Sequence, residues 1–267
     1  MEFSDSLGGV KIILHIHASR FKDFYNEASS RKQTWIRNTL NDCDRVIVLS
    51  KSWQEWFEGI GIPCDKLTVL HNITAYPIVR KKFHAEDGKV HFLFMGEIGE
   101  RKGVFDILKC ITDHKKEFCG RIVLRIGGNR NEEKLLSYIR ECQLEDMVKF
   151  EGWVIGEKKI ELLNWADVFM LPSYNEGLPI SILEAMSYGH PIISSPVGGI
   201  PEVVKEGENG VLVEPGNPEA IYYAMTRYMN NRERIRFEGK SSLKLVEPYL
   251  PHSVMMDLRK IYEELLS

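Results

Sequence analysis

Short apolar runs rich in β-branched residues alternate along this chain with longer stretches in which apolar positions recur every three or four residues. The runs fall at 10–16 (VKIILHI), 44–50 (DRVIVLS), 66–71 (KLTVLH), 90–95 (VHFLFM), 121–127 (RIVLRIG), 147–152 (MVKFEG), 167–171 (DVFML), 191–195 (PIISS) and 210–214 (GVLVE). Each is too short for a helix and continuous enough to be buried on both faces, so each predicts a strand. Helical spacing covers 31–43, 103–118, 131–143, 218–231 and 252–267. Continuous apolar strands separated by helices predict parallel sheets covered on both sides, with right-handed crossovers. The fold class expected is α/β, doubly wound.

The alternation stops at 72–89 (NITAYPIVRKKFHAEDGK), which has no period and carries a proline, a basic cluster and a glycine. It predicts a linker, with a partial domain at 1–80 and a complete nucleotide-binding type of unit at 81–250. Three strands with two or three helices before the linker make a thin sheet with exposed edges, the back half of a domain whose front is missing. The last helix has Val254, Leu258, Ile261 and Leu265 on one face and follows Pro248 and Pro251. It is expected to return to the first unit as a separate element over 251–267.

Composition narrows the classes. The chain has 267 residues, 43% hydrophobic and 27% charged, with a net charge of −3, which gives no reason to expect nucleic acid. Five scattered cysteines without a CxxC pair favour reduced thiols and a cytoplasmic setting over a disulfide framework or a zinc site. The run at 10–16 is too short to span a bilayer or to form a signal-peptide core.

Candidate chemistry concentrates in SYNEGLPISILEAMSYGHPII (173–193). Glu176 follows a strand in a polar loop, Gly177 loosens that loop, Pro179 suits a first helical position, and Glu184 lies inside the helix. Such a helix N-terminus favours phosphate, whereas carboxylates beside it address hydroxyls, so the pair suits a sugar nucleotide. GEIGERKG (96–103) forms a second strand–loop–helix turn, in which Gly96 opens the loop and Lys102 offers a cation to a diphosphate. Gly127 in IGGN is either a plain tight turn or a place where backbone approaches a ligand. Trp153 is either a pocket wall or a core residue. Gly198 and Gly199, with Pro201 opening a short helix, are expected to form a cleft wall beside the Glu176 loop. His15 and His17 share one face of their strand, and His17, nearer its end, is the cleft candidate. Asp42-Cys43-Asp44 imitates a metal motif but sits at a helix-to-strand junction.

These segments, together with LHIHAS, RVIVLSKSWQEWF, LTVLHNI, FEGWV and NGVLVEPGNPEAI, resemble the retaining glycosyltransferases of family 4, whose E-x7-E motif is matched by EGLPISILE. The resemblance implies the GT-B fold, two Rossmann-like domains with parallel sheets around a cleft, the N-terminal one incomplete here. It implies transfer of a sugar from a nucleotide diphosphate donor to an acceptor hydroxyl, of the hexosyltransferase type, in cell-surface polysaccharide or glycolipid synthesis. Lys102 matches the lysine on the donor diphosphate, Glu176 the glutamate beside the transferred sugar, and Glu184 the glutamate on the ribose. Gly177, Leu178, Pro179 and Ile180 match the turn whose backbone meets sugar and phosphate. Trp153 and Val154 match the segment that borders the base, and His17 a cleft histidine near the acceptor. Gly96, Arg101 and Gly127 complete the expected donor contacts, and no metal or other cofactor is implied.

Two departures stand out. Glu97 occupies a position that is usually arginine, so it is expected to point away from the diphosphate while Arg101 supplies the charge. A Gly-rich acceptor loop expected before the His17 strand is absent from this sequence. Expected partners are therefore a nucleotide sugar, a carbohydrate or lipid-linked acceptor with peripheral contact at the inner membrane face, and self-association through the incomplete first sheet. The alternative is a non-catalytic remnant that still binds nucleotide sugar or a partner chain. An epimerase is disfavoured by the two-glutamate motif. The donor site is expected wholly after the linker, and Lys102 is expected to be an exposed loop residue that folding can spare.

Overall fold

The computed structural model describes residues 10–18, 20–78 and 87–266. The middle of the expected linker, 79–86, lies outside the described residues, and so does the expected domain boundary at 80/81.

In the first part, β1 (Ile13–His15), β2 (Arg45–Val48) and β3 (Leu67–Val69) pair in parallel in that order. Helices α1 (Phe21–Asn26), α2 (Ser30–Asn41) and α3 (Lys51–Gly59) pack on one side, where Tyr25, Ile36, Leu40, Trp53 and Phe57 meet Val46 and Val48. The Asp44 carboxylate accepts the Ile12 backbone N–H at 2.8 Å and an ion pair from Lys11, tying the second strand to the first. Those bonds hold its carboxyl below the usual range, and they give the Asp-Cys-Asp sequence a structural task.

The second part has six parallel strands. They are β4 (Val90–Met95), β5 (Ile122–Gly127), β6 (Val148–Phe150), β7 (Val168–Leu171), β8 (Ile192–Ser194) and β9 (Gly210–Leu212), ordered β6-β5-β4-β7-β8-β9. Their connections carry α4 (Val104–Asp113), α5 (Lys115–Phe118), α6 (Glu132–Glu141), α7 (Gly156–Trp165), α8 (Ile180–Ser187) and α9 (Ile200–Val203), followed by α10 (Pro218–Asn230) and α11 (Arg232–Leu245). Every residue of β4 and β7 is buried, as a sheet covered on both faces requires. The helix expected over 103–118 breaks at His114. There the ring stacks on Tyr222 with centroids 3.8 Å apart, and the turn that follows buries Phe118.

The terminal helix α12 (Pro251–Leu266) crosses back to the first part. Val254 and Ile261 are buried, with Leu258 and Leu265 beside them, against Ile13, Ile47 and Leu70 on the face of the small sheet opposite α2 and α3. Among the described residues, no helix is long and apolar enough to cross a membrane.

Candidate functional site

The chain leaves β4 toward β5 on one side and returns to β7 on the other, so the loops after these neighbouring strands diverge. Such a switch point opens a crevice at the carboxyl edge of a parallel sheet. Lys102 lies in the loop after β4, and Glu176 in the loop after β7.

The first loop is fixed by its backbone. Gly96 N–H donates to the Gly127 carbonyl at 3.0 Å, and Ile98 N–H to that of Asn129 at 2.8 Å. The Asn131 amide then donates to the Ile98 carbonyl at 2.8 Å. A 3-10 turn over Glu100–Lys102 ends at Gly103, whose φ of 71° favours glycine. A Cβ there would stand 2.1 Å from the Pro172 carbonyl oxygen, so only glycine lets this loop press on the end of β7. Tyr174 N–H closes the contact by donating to the Arg101 carbonyl at 2.8 Å.

This docking brings Lys102 Nζ to 2.5 Å from Glu176 Oε1. Glu176 is 6% exposed and the Lys102 side chain 14%, so the two charges compensate one another away from most solvent. One sequence expectation is corrected here: Lys102 is a paired, mostly buried cation rather than an exposed loop residue that folding can spare. Removing one partner of such a pair strands the other charge.

A pocket of about 240 Å³ opens beside the first loop. Gly96, Gly127, Trp153, Val154 and Glu184 line it, five of the residues expected to face the donor. Trp153 is 60% exposed, which makes it a wall and not a core residue, whereas Val154 is buried. Glu184 meets Lys159 Nζ at 2.5 Å from the facing helix α7. Sequence reasoning missed Lys159. Its partner is 25 residues away on another helix, and no local spacing signals the contact.

Pro179 is the N-cap of α8, with extended backbone, so the helix starts at Ile180, one residue later than expected. The backbone N–H groups of Ile180 and Ser181 begin the first turn and have no intrahelical acceptor. The Leu178 side chain is buried, and its carbonyl accepts the Asn72 amide at 2.6 Å.

The Gly198–Gly199 turn packs against the Glu176 loop. Gly198, with φ of 56°, packs so closely on the Glu176 carbonyl that a Cβ would lie 2.0 Å from its oxygen. Gly199 N–H donates to the Gly177 carbonyl at 2.6 Å, and the Gly198 carbonyl accepts from Ser52 Oγ at 3.2 Å. The short helix α9 turns Glu202 onto the small half, where its carboxylate accepts Lys51 and Ser52 N–H at 3.0 and 2.9 Å. The turn therefore buttresses the Glu176 loop and joins the halves.

His17 follows β1, exposed, its ring 4.0 Å from that of His15, and it lines a narrow crevice with Leu49 and Gly177. Burial, reinforced by the charge of His17, lowers the pKa of His15. Arg101 departs from its expected place. Its guanidinium is 3.5 Å from the Glu97 carboxylate and donates to the Asn175 carbonyl at 3.2 Å, outside the Trp153 pocket. Glu97 also pairs with Arg130 at 3.2 Å, so its carboxylate is held between two arginines.

With this geometry in place, the chain can be set beside known proteins. The family model for glycosyl transferases group 1 matches residues 76–241, and that for glycosyltransferase family 4 matches residues 4–74. An uncharacterized glycosyltransferase of Methanocaldococcus jannaschii, MJ1069, is 28% identical, over 87% of this chain and 56% of its own. The amylovoran biosynthesis glycosyltransferase AmsK of Erwinia amylovora is 29% identical, over 68% of this chain and 46% of its own. The chain thus spans about half the length of these curated relatives. Among solved structures, sucrose-phosphate synthase from Thermosynechococcus elongatus superposes with a TM-score of 0.80 at 22% identity, over 95% of this chain and 67% of its own. Anabaena HepE, in complex with UDP and glucose, superposes at 0.79 and 18% identity, over 96% of this chain and 72% of its own. These likenesses identify the fold as GT-B, with two Rossmann-like units.

Proposed function

The chain belongs to the glycosyl transferases group 1 family, and from that premise we propose that it transfers a sugar from a nucleoside diphosphate donor to an acceptor hydroxyl with the anomeric configuration kept. The observation that carries this reading is the Lys102–Glu176 pair at the β4/β7 switch point, with a pocket beside the same loop ending on Glu184. The base lies against Trp153 and Val154, and the ribose hydroxyls meet Glu184, which Lys159 holds in orientation at 2.5 Å. The diphosphate lies against Lys102 and the first N–H groups of α8. The transferred sugar sits at Glu176 and the Gly177 backbone, within reach of His17. The UDP and glucose bound by HepE support a donor of this class.

In the transfer, the acceptor oxygen forms a bond to the anomeric carbon while the bond from that carbon to the diphosphate oxygen breaks. The acceptor proton passes to a diphosphate oxygen on the same face of the sugar. Glu176 is committed to Lys102, so it holds charge and hydroxyls in place and does not attack. Negative charge grows on the leaving diphosphate, and one well-placed donor such as Lys102 contributes roughly 3 kcal/mol to meeting it. No metal or other cofactor takes part in this reading. The name of AmsK supports an acceptor among polysaccharide intermediates. A lipid-linked acceptor would bring the protein to a membrane surface.

The test is a panel of nucleotide sugars assayed by thermal shift, followed by NMR of any product. A matching donor raises the melting temperature by binding the native state, and an α-linked donor yields an α-linked product. An inverted product contradicts retention. Stabilisation without transfer to any acceptor supports the non-catalytic reading, and no stabilisation by any donor overturns the proposal.

A further inference from the structure

His15 and His17 stand together at the end of β1, and the proposed transfer uses only the second of them. Alternation along the strand puts both side chains on one face. The sheet fixes their backbone, because His15 pairs with Ile47 of β2 and Ile16 N–H donates to the Ile47 carbonyl at 2.9 Å. The ring centroids lie 4.0 Å apart and the planes are tilted by 43°, neither stacked nor edge to face. Among the described residues, neither ring has a hydrogen-bond or ion-pair partner.

Two imidazoles so placed make a poor structural contact, since they repel when protonated. Burial, reinforced by the charge of His17, lowers His15 from its ordinary value, so its imidazole is neutral at neutral pH and has a lone pair to give. An ion shared by two imidazoles sits about 2 Å from each nitrogen, which puts the nitrogens roughly 3 Å apart. Ring centroids 4.0 Å apart are compatible with that separation. Imidazole suits Zn²⁺, Ni²⁺ and Cu²⁺, whereas Mg²⁺ and Ca²⁺ take oxygen ligands. The Asp42-Cys43-Asp44 sequence is no rival, because Ile12 N–H and Lys11 occupy the Asp44 carboxylate and Cys43 is buried. Among the described residues, no group of three or more His, Cys, Asp or Glu could hold a metal ion. A site of two imidazoles therefore leaves its other positions to water or a ligand, and it binds reversibly.

We propose that His15 and His17 chelate a divalent transition-metal ion of the Zn²⁺ type, with two protein nitrogens and exchangeable ligands elsewhere. The ion is an inhibitor and not a cofactor of transfer. His17 and Gly177 line the same crevice, so an ion on His17 occupies the place beside the transferred sugar and slows the reaction. That consequence rests on the donor reading above. The metal site itself rests on the histidine pair alone.

The experiment is calorimetric titration of the full chain with Zn²⁺ and Mg²⁺, without nucleotide, joined to electron paramagnetic resonance of the Cu²⁺ form. Cys64 and Cys119 are exposed thiols, so both are first replaced by serine. Zn²⁺ is expected to bind in the micromolar range and Mg²⁺ to give no heat. His15→Gln and His17→Gln should each weaken Zn²⁺ at least tenfold. The resonance should show two imidazole nitrogens on Cu²⁺ before substitution and one in either variant. His114→Gln, at a histidine paired with Glu219 in the large half, should leave the affinity within twofold. Circular dichroism verifies that each variant is folded. Zn²⁺ binding indifferent to both substitutions, an equal response to Mg²⁺, or no Zn²⁺ bound by the starting chain would overturn the inference. With a matching donor, Zn²⁺ should slow transfer at least fivefold, and His15→Gln should remove that sensitivity. A zinc-loaded chain that transfers at full rate would overturn the inhibition. Failure to bind any donor bears on the donor reading alone, because the metal is titrated without nucleotide.

Discussion

The two sheets of this molecule are built from the same kind of strand, yet they stand on different footings. In the six-stranded sheet, β4 and β7 are buried at every position, and a continuous core joins them to α4, α6, α8 and α10, all from the same stretch of chain. In the three-stranded sheet, β1 is an edge with Leu14 exposed, and among the described residues one face is covered by α12, brought from the far end of the chain. The first turn of α3 is capped by a carboxylate of the other half. The large half draws its core almost wholly from its own stretch of chain, and the small half completes its own with α12 and a carboxylate from the large half. The large half carries the switch-point loops, and the small half adds His17 beside Gly177 at their rim.

Removing α12 after Leu250 is the strongest way to break the comparison. Burying an aliphatic side chain contributes about 2 kcal/mol, so losing Val254 and Ile261 alone exceeds what a thin sheet can spare. Amide exchange in β1–β3 should accelerate to that of an unfolded chain while β4–β8 keep their protection. Simultaneous loss of both sheets would show that they fold as one unit.

A smaller effect is expected inside the large half. Lys102→Ala leaves Glu176 buried without a partner and should cost about 3 kcal/mol of stability, besides its loss of turnover. Adding Glu176→Gln should recover most of the stability and none of the turnover, as read by denaturant melts and donor turnover. A single variant as stable as the original chain would show that the pair is not coupled.

The smallest effect concerns the junction. Glu202→Ala removes a cap supplied across the halves and should cost about 1 kcal/mol, seen as faster exchange at Lys51–Trp53 with the large sheet unchanged. An equal change in β4 and β7 would mean that the halves are not separable there.

How far the sequence reaches follows the same division. Strands 90–95 and 167–171 are legible because burial on both faces demands unbroken apolar runs, and the face of α12 is legible from four residues at helical spacing. Lys102 and Glu176 are identifiable as candidates because each follows a strand in a glycine-bearing loop. Their direct pairing is not legible, since it depends on how two loops 74 residues apart dock through Gly103 and Pro172. For the same reason Lys159 escapes notice and Arg101 is misplaced, as side-chain partners across helices leave no period in the chain. The place of the Gly198–Gly199 turn beside the Glu176 loop is legible, but its bond to Ser52 of the small half is not, because that partner lies 146 residues away.

The central claim is that a nucleotide sugar is held by the switch-point loops of the large half. Hydrogen exchange with the donor that gives the largest thermal shift tests it most directly. Protection should appear at 96–103, 153–155 and 176–184, with β1–β3 unchanged. Protection confined to the small half, or a bound donor that leaves 96–103 and 176–184 unprotected, would contradict it.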